Sequence, residues 1–185
     1  QAMDIAWHRG LADADKITWR QYAQMCVFKT GTIARMAAKM AAVLSDANDE
    51  LVEKLGTFAE SIGVAFQIQD DVLDLVGEKF AEGKGGLGRD ITEGKRTLIV
   101  INTLEKATYR DEKRLLEILS MHTSDQKLID EAIAIVTKYG SISYAKEFAR
   151  NLVANSWKEI DSLLSPSDAK EKLRAFANYL TERKI

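Results

Sequence analysis

Three aspartates, Asp70, Asp71 and Asp74, stand in the otherwise apolar stretch Phe66–Val76. On a helix at about 100° per residue they share one face with Gln67, within an arc of roughly 100°. Val72, Leu73, Leu75 and Val76 cover the rest of the girth. Carboxylates at i,i+4 repel one another, and burial adds the loss of hydrating water. A divalent cation removes that cost. Oxygen donors with no His or Cys nearby select a hard ion, Mg²⁺ before zinc, which completes its shell with water and phosphate oxygens. The competing explanation is a solvated acidic stripe on a surface helix. The apolar flanks and the basic segment that follows argue against it.

That segment supplies Lys84, Arg89, Lys95 and Arg96, among glycines at 83, 85, 86, 88 and 94. Glycine lets a backbone approach an anion closely, and basic side chains neutralise it. The pattern places Lys95 and Arg96 at the opening of the next helix. Positive side chains there oppose the helix dipole, and a bound anion relieves the conflict. A flexible charged surface loop is the alternative. The glycine spacing is not that of a Walker P-loop, because Arg89 and Glu78 stand where a second glycine is needed, five residues before Gly94 and Gly83. Gly86-Leu87-Gly88 follows no apolar strand, which argues against a dinucleotide fingerprint. A second basic spot is Phe28-Lys29-Thr30-Gly31, where a lysine and a hydroxyl beside a glycine, between two helical segments, could hold a phosphate. A C-cap lysine is the alternative there.

The elements that must position these residues are helices. The 185 residues contain one proline, Pro166, periods near 3.6 recur throughout, and alternation of β-branched residues is nearly absent. Helices are expected over 1–9, 17–28, 31–44, 48–76, 95–107, 110–120, 124–139, 141–163 and 166–183. Thr123 with Gln126 has the capping-box pattern, and Gly140 stands where a helix should stop. Ser165 and Pro166 form an N-cap and first-turn pair, with Asp168 facing the dipole. Gly77 ends the long helix. The segment 77–94 is the one long irregular stretch, and such a stretch is usually functional or disordered.

There is no internal repeat and no linker, so 1–185 reads as a single all-α domain with a real core. A net charge of −2 gives no basic face for nucleic acid. No apolar run reaches transmembrane length and no signal peptide is visible. The single cysteine, Cys26, agrees with a reducing compartment, and with it a cytoplasmic location. Two distant histidines and one cysteine make no zinc site. The chain opens at Gln1 inside what reads as ordered structure, so further sequence upstream is expected. Its absence would leave apolar faces of 17–44 uncovered.

These motifs resemble a known family. Phe66-Gln67-Ile68-Gln69-Asp70-Asp71-Val72-Leu73-Asp74 looks like the second aspartate-rich motif of the trans-isoprenyl diphosphate synthases, the polyprenyl synthetases of farnesyl and geranylgeranyl type. Gly88-Arg89-Asp90-Ile91-Thr92-Glu93-Gly94-Lys95-Arg96-Thr97-Leu98 resembles the family's next block. Tyr22 and Met25 leading to Lys29-Thr30-Gly31 match its Lys-Thr step. Gln1-Ala2-Met3-Asp4 resembles the end of a Gly-Gln-x-x-Asp block, and Glu182-Arg183-Lys184 resembles the basic tail of geranylgeranyl-type members. The resemblance runs from end to end.

It implies an isoprenoid-synthase helical bundle around a central cavity, partial here, with its N-terminal helices missing. It implies a prenyltransferase that condenses isopentenyl diphosphate with an allylic diphosphate, using Mg²⁺ with Mn²⁺ as an alternative ion, and a homodimer. Carried over, Asp70, and less directly Asp71 and Asp74, hold the metal. Lys29, Thr30, Gln67, Lys84 and Lys95 line the allylic diphosphate site, with Gln1 and Asp4 nearby. Lys29, Thr30, Gln67 and Lys95 are the catalytic set. The segment between Asp74 and Asp90 is about two residues longer than in farnesyl-type members, so Arg89 could share the role of Lys84. The first aspartate-rich motif, the Arg-Arg pair after it and the isopentenyl-diphosphate-holding residues are absent, and with them the positions that set product length. A geranylgeranyl product is the lean, and the chain alone is expected to be inactive. Two alternatives stand: a non-catalytic or half-site subunit of a heteromeric prenyl synthase, and, behind it, a terpene cyclase.

Overall fold

A computed structural model describes residues 1–11, 16–77 and 87–182, and every regular element among them is helical. In chain order these are α1 (Ala2–His8), α2 (Trp19–Cys26), a π-helical turn (Val27–Gly31), α3 (Thr32–Leu44), α4 (Asp49–Val76), α5 (Arg89–Thr92), α6 (Leu98–Lys106), α7 (Tyr109–Ser120), α8 (Gln126–Lys138), α9 (Ser141–Asp161) and α10 (Asp168–Glu182). Among the described residues they group into two compact units, Gln1–Met25 with Asp70–Ala145, and Cys26–Gln69 with 146–182. Helices α2, α4 and α9 contribute residues to both. No described helix is long and apolar enough to cross a membrane.

Capping residues set most of the boundaries. Thr18 and Gln21 form a reciprocal box before α2: the Thr18 N–H donates to Gln21 Oε1 at 2.9 Å and the Gln21 N–H to Thr18 Oγ1 at 3.4 Å. Asn48 accepts from the Leu51 N–H at 2.9 Å and opens α4. Gly77 follows the last residue of α4, and Gly140, at φ +68, follows α8, both as the sequence leads one to expect.

Three expected starts are corrected. The cap of α8 is Asp125, which accepts from the Lys127 N–H at 2.9 Å, while Thr123 supports the turn before it by accepting from the Asp125 N–H. Helix α10 begins at Asp168, and Ser167 accepts from the Lys170 N–H at 3.2 Å, so Ser165 and Pro166 stay in the connection. Helix α6 begins at Leu98, capped by Thr97, which accepts from the Val100 N–H. Lys95 and Arg96 therefore precede the helix, and the dipole conflict expected for them does not arise.

In the first unit the core gathers around α6, whose residues Leu98 to Thr103 are all buried. Ile118 and Leu119 of α7 and Val136 of α8 are likewise closed to solvent. Two buried hydroxyls satisfy each other, Thr103 Oγ1 donating to Ser141 Oγ at 2.8 Å. In the second unit Phe58 of α4 and Trp157 of α9 meet edge to face, with ring centroids 5.4 Å apart.

The second unit also holds the largest departure from the expected elements. The break expected between residues 28 and 31 is a π turn, and the chain continues from α2 into α3 without leaving helical geometry. The Thr32 N–H and its Oγ1 both reach the Val27 carbonyl, an i,i+5 relation. The turn lies against α4 at two glycines. A Cβ on Gly63 would stand 2.7 Å from the Cα of Gly31.

Helix α3 leaves an apolar stripe open. Ile33, Met36, Met40 and Val43 recur at helical spacing and are each more than half exposed. Replacing Met36 and Met40 together by lysine is expected to cut binding of a hydrophobic dye at least twofold. The thermal midpoint should stay unchanged, because neither side chain is part of the core. Unchanged fluorescence would show that the dye reads another surface.

Candidate functional site

Helix α4 reaches its last turns as an apolar helix with a buried acidic stripe. Asp71 and Asp74 are each 6% exposed and Asp70 is half-buried, so the stripe is not a solvated surface. Around the aspartates, Ile68 and Val72 are closed to solvent altogether. That burial sets the energetic problem, and the first unit answers it with specific donors.

Asp71 is held from α2. The Tyr22 hydroxyl, on a side chain 2% exposed, donates to Asp71 Oδ2 at 2.6 Å. Asp74 is held from the turn that opens α5. The Gly88 N–H donates to the Asp74 backbone carbonyl at 2.8 Å, and the Asp90 N–H donates to Asp74 Oδ2 at 2.9 Å. This turn needs glycine at 88, since φ there is +78 and a Cβ would run into the Ile129 side chain of α8. Burial, and then the charge of the neighbouring Asp90, push the Asp74 pKa up to about 6 from a usual 3.8. The Asp90 and Arg89 N–H groups and the Lys95 charge work against that rise.

Lys95 supplies the nearby positive charge. Its Nζ lies 2.6 Å from Asp90 Oδ1 and 2.8 Å from Glu93 Oε2. Burial pulls the Lys95 pKa down, but the charges of Asp90 and Glu93 and the bonds to them outweigh it and hold the ammonium above the usual lysine value. Arg89 is exposed, and its Nε donates to Glu93 Oε1 at 2.9 Å. Lys95 and Arg89 are thus turned toward acids of their own block, while Arg96 Nη1 donates to the Gly94 carbonyl at 2.7 Å.

The other residues singled out in the sequence are placed as follows. Gln1 caps α1 and is exposed, and Asp4, in the first turn of α1, is 6% exposed. Lys29 and Thr30 lie half-buried in the π turn of the second unit, and Gln67 lies half-buried on the α4 segment of that unit. Lys84, and Arg183 and Lys184 of the tail, lie outside the described residues. The first unit therefore holds Gln1, Asp4, Asp70, Asp71, Asp74, Arg89 and Lys95, and the second holds Lys29, Thr30 and Gln67.

Two residues that hold this set had no role in the sequence reading: Tyr22 as the partner of Asp71, and Asp90 as the partner of both Asp74 and Lys95. A buried tyrosine demands a polar partner, which is the signal for the first. Nothing in the spacing of Asp90 distinguishes it from the acids around it.

Among the described residues, no three carboxylate, imidazole or thiol groups converge into a ready-made cation cage. Mg²⁺ does not need one, since it is commonly held by one or two carboxylates with water and phosphate oxygens around it. The donors here are oxygens only, and the buried carboxylates outnumber the one lysine among them. That chemistry fits a hard cation.

A family profile described as Polyprenyl synthetase matches residues 1–136. The short chain isoprenyl diphosphate synthase of Methanothermobacter thermautotrophicus is 37% identical over 183 residues, covering 99% of this chain and 54% of that protein. The geranylgeranyl diphosphate synthase of Saccharolobus solfataricus is 31% identical over 187 residues, covering 100% of this chain and 54% of that protein. Among solved structures, the geranylgeranyl pyrophosphate synthetase of Pyrococcus horikoshii superposes with a TM-score of 0.85 at 32% identity, over 98% of this chain and 54% of that one. The chain thus spans about half the length of these relatives.

Proposed function

The chain belongs to the polyprenyl synthetase family, and from that premise we propose that it carries the second-aspartate-motif side of a Mg²⁺-dependent prenyltransferase. The reaction joins isopentenyl diphosphate to an allylic diphosphate. The allylic C–O bond breaks, pyrophosphate leaves with the bonding electrons, a C–C bond forms to the isopentenyl double bond, and a proton is lost.

The observation that carries this reading is the buried acidic stripe of α4, with Asp71 and Asp74 held by protein donors and Asp70 left as its most open member. When bound, Mg²⁺ would supply positive charge that offsets the charge developing on the leaving diphosphate. Asp70, and less directly Asp71 and Asp74, would hold it. Lys95 would turn positive charge to the leaving diphosphate, with Asp90 keeping that ammonium in place. Lys29, Thr30 and Gln67 complete the allylic diphosphate site in this reading, with Lys84 or Arg89, Gln1 and Asp4 at its margin. The reading treats 1–185 as part of one helical domain around a central cavity, cytoplasmic and homodimeric. Mn²⁺ would serve as an alternative ion, and relatives named for geranylgeranyl and geranylfarnesyl diphosphate favour a short-chain product.

The test is Mn²⁺ binding, followed by electron paramagnetic resonance, with inorganic pyrophosphate present. The chain is expected to bind, and Asp70→Ala to bind at least tenfold more weakly. In an active synthase form the same substitution should remove prenyl transfer by on the order of 100-fold. A variant that binds and turns over like its parent overturns the metal assignment. A second reading, a half-site subunit completed by another synthase chain, draws on the open apolar stripe of α3. It predicts transfer only when that second chain is added.

A further inference from the structure

Resting on the metal reading above, we propose that Tyr22 is a positioning residue that sets the aim of the aspartate face through Asp71. Its hydroxyl and the carboxylate it holds are 49 positions apart in sequence, and both are buried. At 2.6 Å the contact is in the range of a charge-assisted O–H···O⁻ bond. Met25 and Cys26, one turn further along α2, are 4% and 0% exposed. The phenol therefore comes from a helix face anchored in the core, with little freedom to follow a moving partner.

A carboxylate fixed at one oxygen fixes the roll of the helix that carries it. Asp70 is its immediate neighbour and Asp74 lies three residues on, so holding Asp71 holds the directions of both. The other end of the stripe is held independently, by the N–H groups of Gly88 and Asp90 on Asp74. Asp70 lies directly before the first of these clamps and is the least buried of the three. Tyr22 touches neither metal nor diphosphate in this arrangement. It acts as outer-shell partners of metal ligands do, and loss of such a partner typically weakens metal affinity 10- to 100-fold.

The experiment is Mn²⁺ titration with inorganic pyrophosphate, well below the melting temperature. It compares the parent chain, Tyr22→Phe, Asp71→Asn, the double variant, and Tyr179→Phe as an exposed control. Tyr22→Phe is expected to weaken Mn²⁺ binding roughly tenfold while circular dichroism keeps its helical signal. The double variant should bind no more weakly than Asp71→Asn alone, because both changes break one bond. Tyr179→Phe should bind like the parent. Unchanged affinity in Tyr22→Phe, or losses that add in the double variant, would overturn the role of Tyr22 and leave the metal site standing. A parent chain that binds no Mn²⁺ overturns the metal reading itself, and this inference with it.

Discussion

Replacing Gly63 by alanine is expected to lower the thermal midpoint by roughly 5 °C or more, although alanine is the better helix former by about 1 kcal/mol. The new Cβ would stand 2.7 Å from the Cα of Gly31 and 3.1 Å from its N. Both are backbone atoms of the π turn, so no side-chain rotation relieves the clash. The turn must move off α4 instead, at an overpacking cost of about 1–3 kcal/mol beyond the propensity gain. Lys29 and Thr30 sit immediately before Gly31 and would move with it. Gly56→Ala is the control on the same helix. Its Cβ would meet the Lys39 side chain, at 2.6 Å and 2.9 Å, and Arg35 Cγ at 3.4 Å, and such long stems can swing aside where backbone cannot. That change breaks at most the surface Lys39–Glu53 pair, so it should be neutral or slightly stabilising. Differential scanning calorimetry of the two variants decides. Equal midpoints would mean that the contact between the turn and α4 is not tight in solution.

The Gly31–Gly63 contact also shows where sequence reasoning stopped. The helices themselves were legible, because a period near 3.6 and a lone proline leave little else. The interruption at Lys29-Thr30-Gly31 was legible as an irregularity but not as a π turn. It lies against a glycine on α4 more than 30 positions away, which lets two backbones approach. The starts of α6, α8 and α10 lie two to three residues later than the local pattern suggests, and before α8 more than one competent cap is present. Thr123 and Asp125 both accept backbone N–H groups, and only packing decides which of them starts the helix.

The candidate site divides in the same way. The acidic stripe follows from local spacing on one helix, so Asp70, Asp71 and Asp74 could be named at once. The groups that hold it, Tyr22 on α2 and Asp90 at the start of α5, arrive through tertiary contacts that no local pattern encodes. Local spacing also misled at Lys95. It was read as a helix-opening cation in conflict with the dipole, whereas its partners are the acids two and five residues before it.

That pairing makes Lys95→Met the substitution with the clearest pH signature. The side chain keeps its volume but loses the charge that lies 2.6 Å from Asp90. Asp74 and Asp90 are both buried, and the charge of Asp90 raises the Asp74 pKa, so losing the Lys95 ammonium leaves that repulsion less offset. Removing one partner of a buried pair costs about 3–5 kcal/mol. Lys95 retains 23% side-chain exposure, so a loss nearer ~2 kcal/mol is expected at neutral pH. The direction with pH follows from the carboxyl groups. Asp74 already has a folded-state pKa of about 6 against a usual 3.8, so the folded chain holds its proton more tightly than the unfolded chain. Stability from that group falls as pH rises through this window and stays low above it. Without Lys95 the Asp74 pKa rises further, and the window extends upward. Melted in a chelator, Lys95→Met should lie nearer the parent at about pH 5 than at about pH 8, where it should fall roughly 5 °C below it. Adding Mn²⁺ with pyrophosphate at the higher pH should narrow that gap, because the cation supplies the charge that the lysine no longer does. A gap that is the same at both pH values would mean that Lys95 contributes packing rather than charge, and that Asp90 and Asp74 are neutralised by other means.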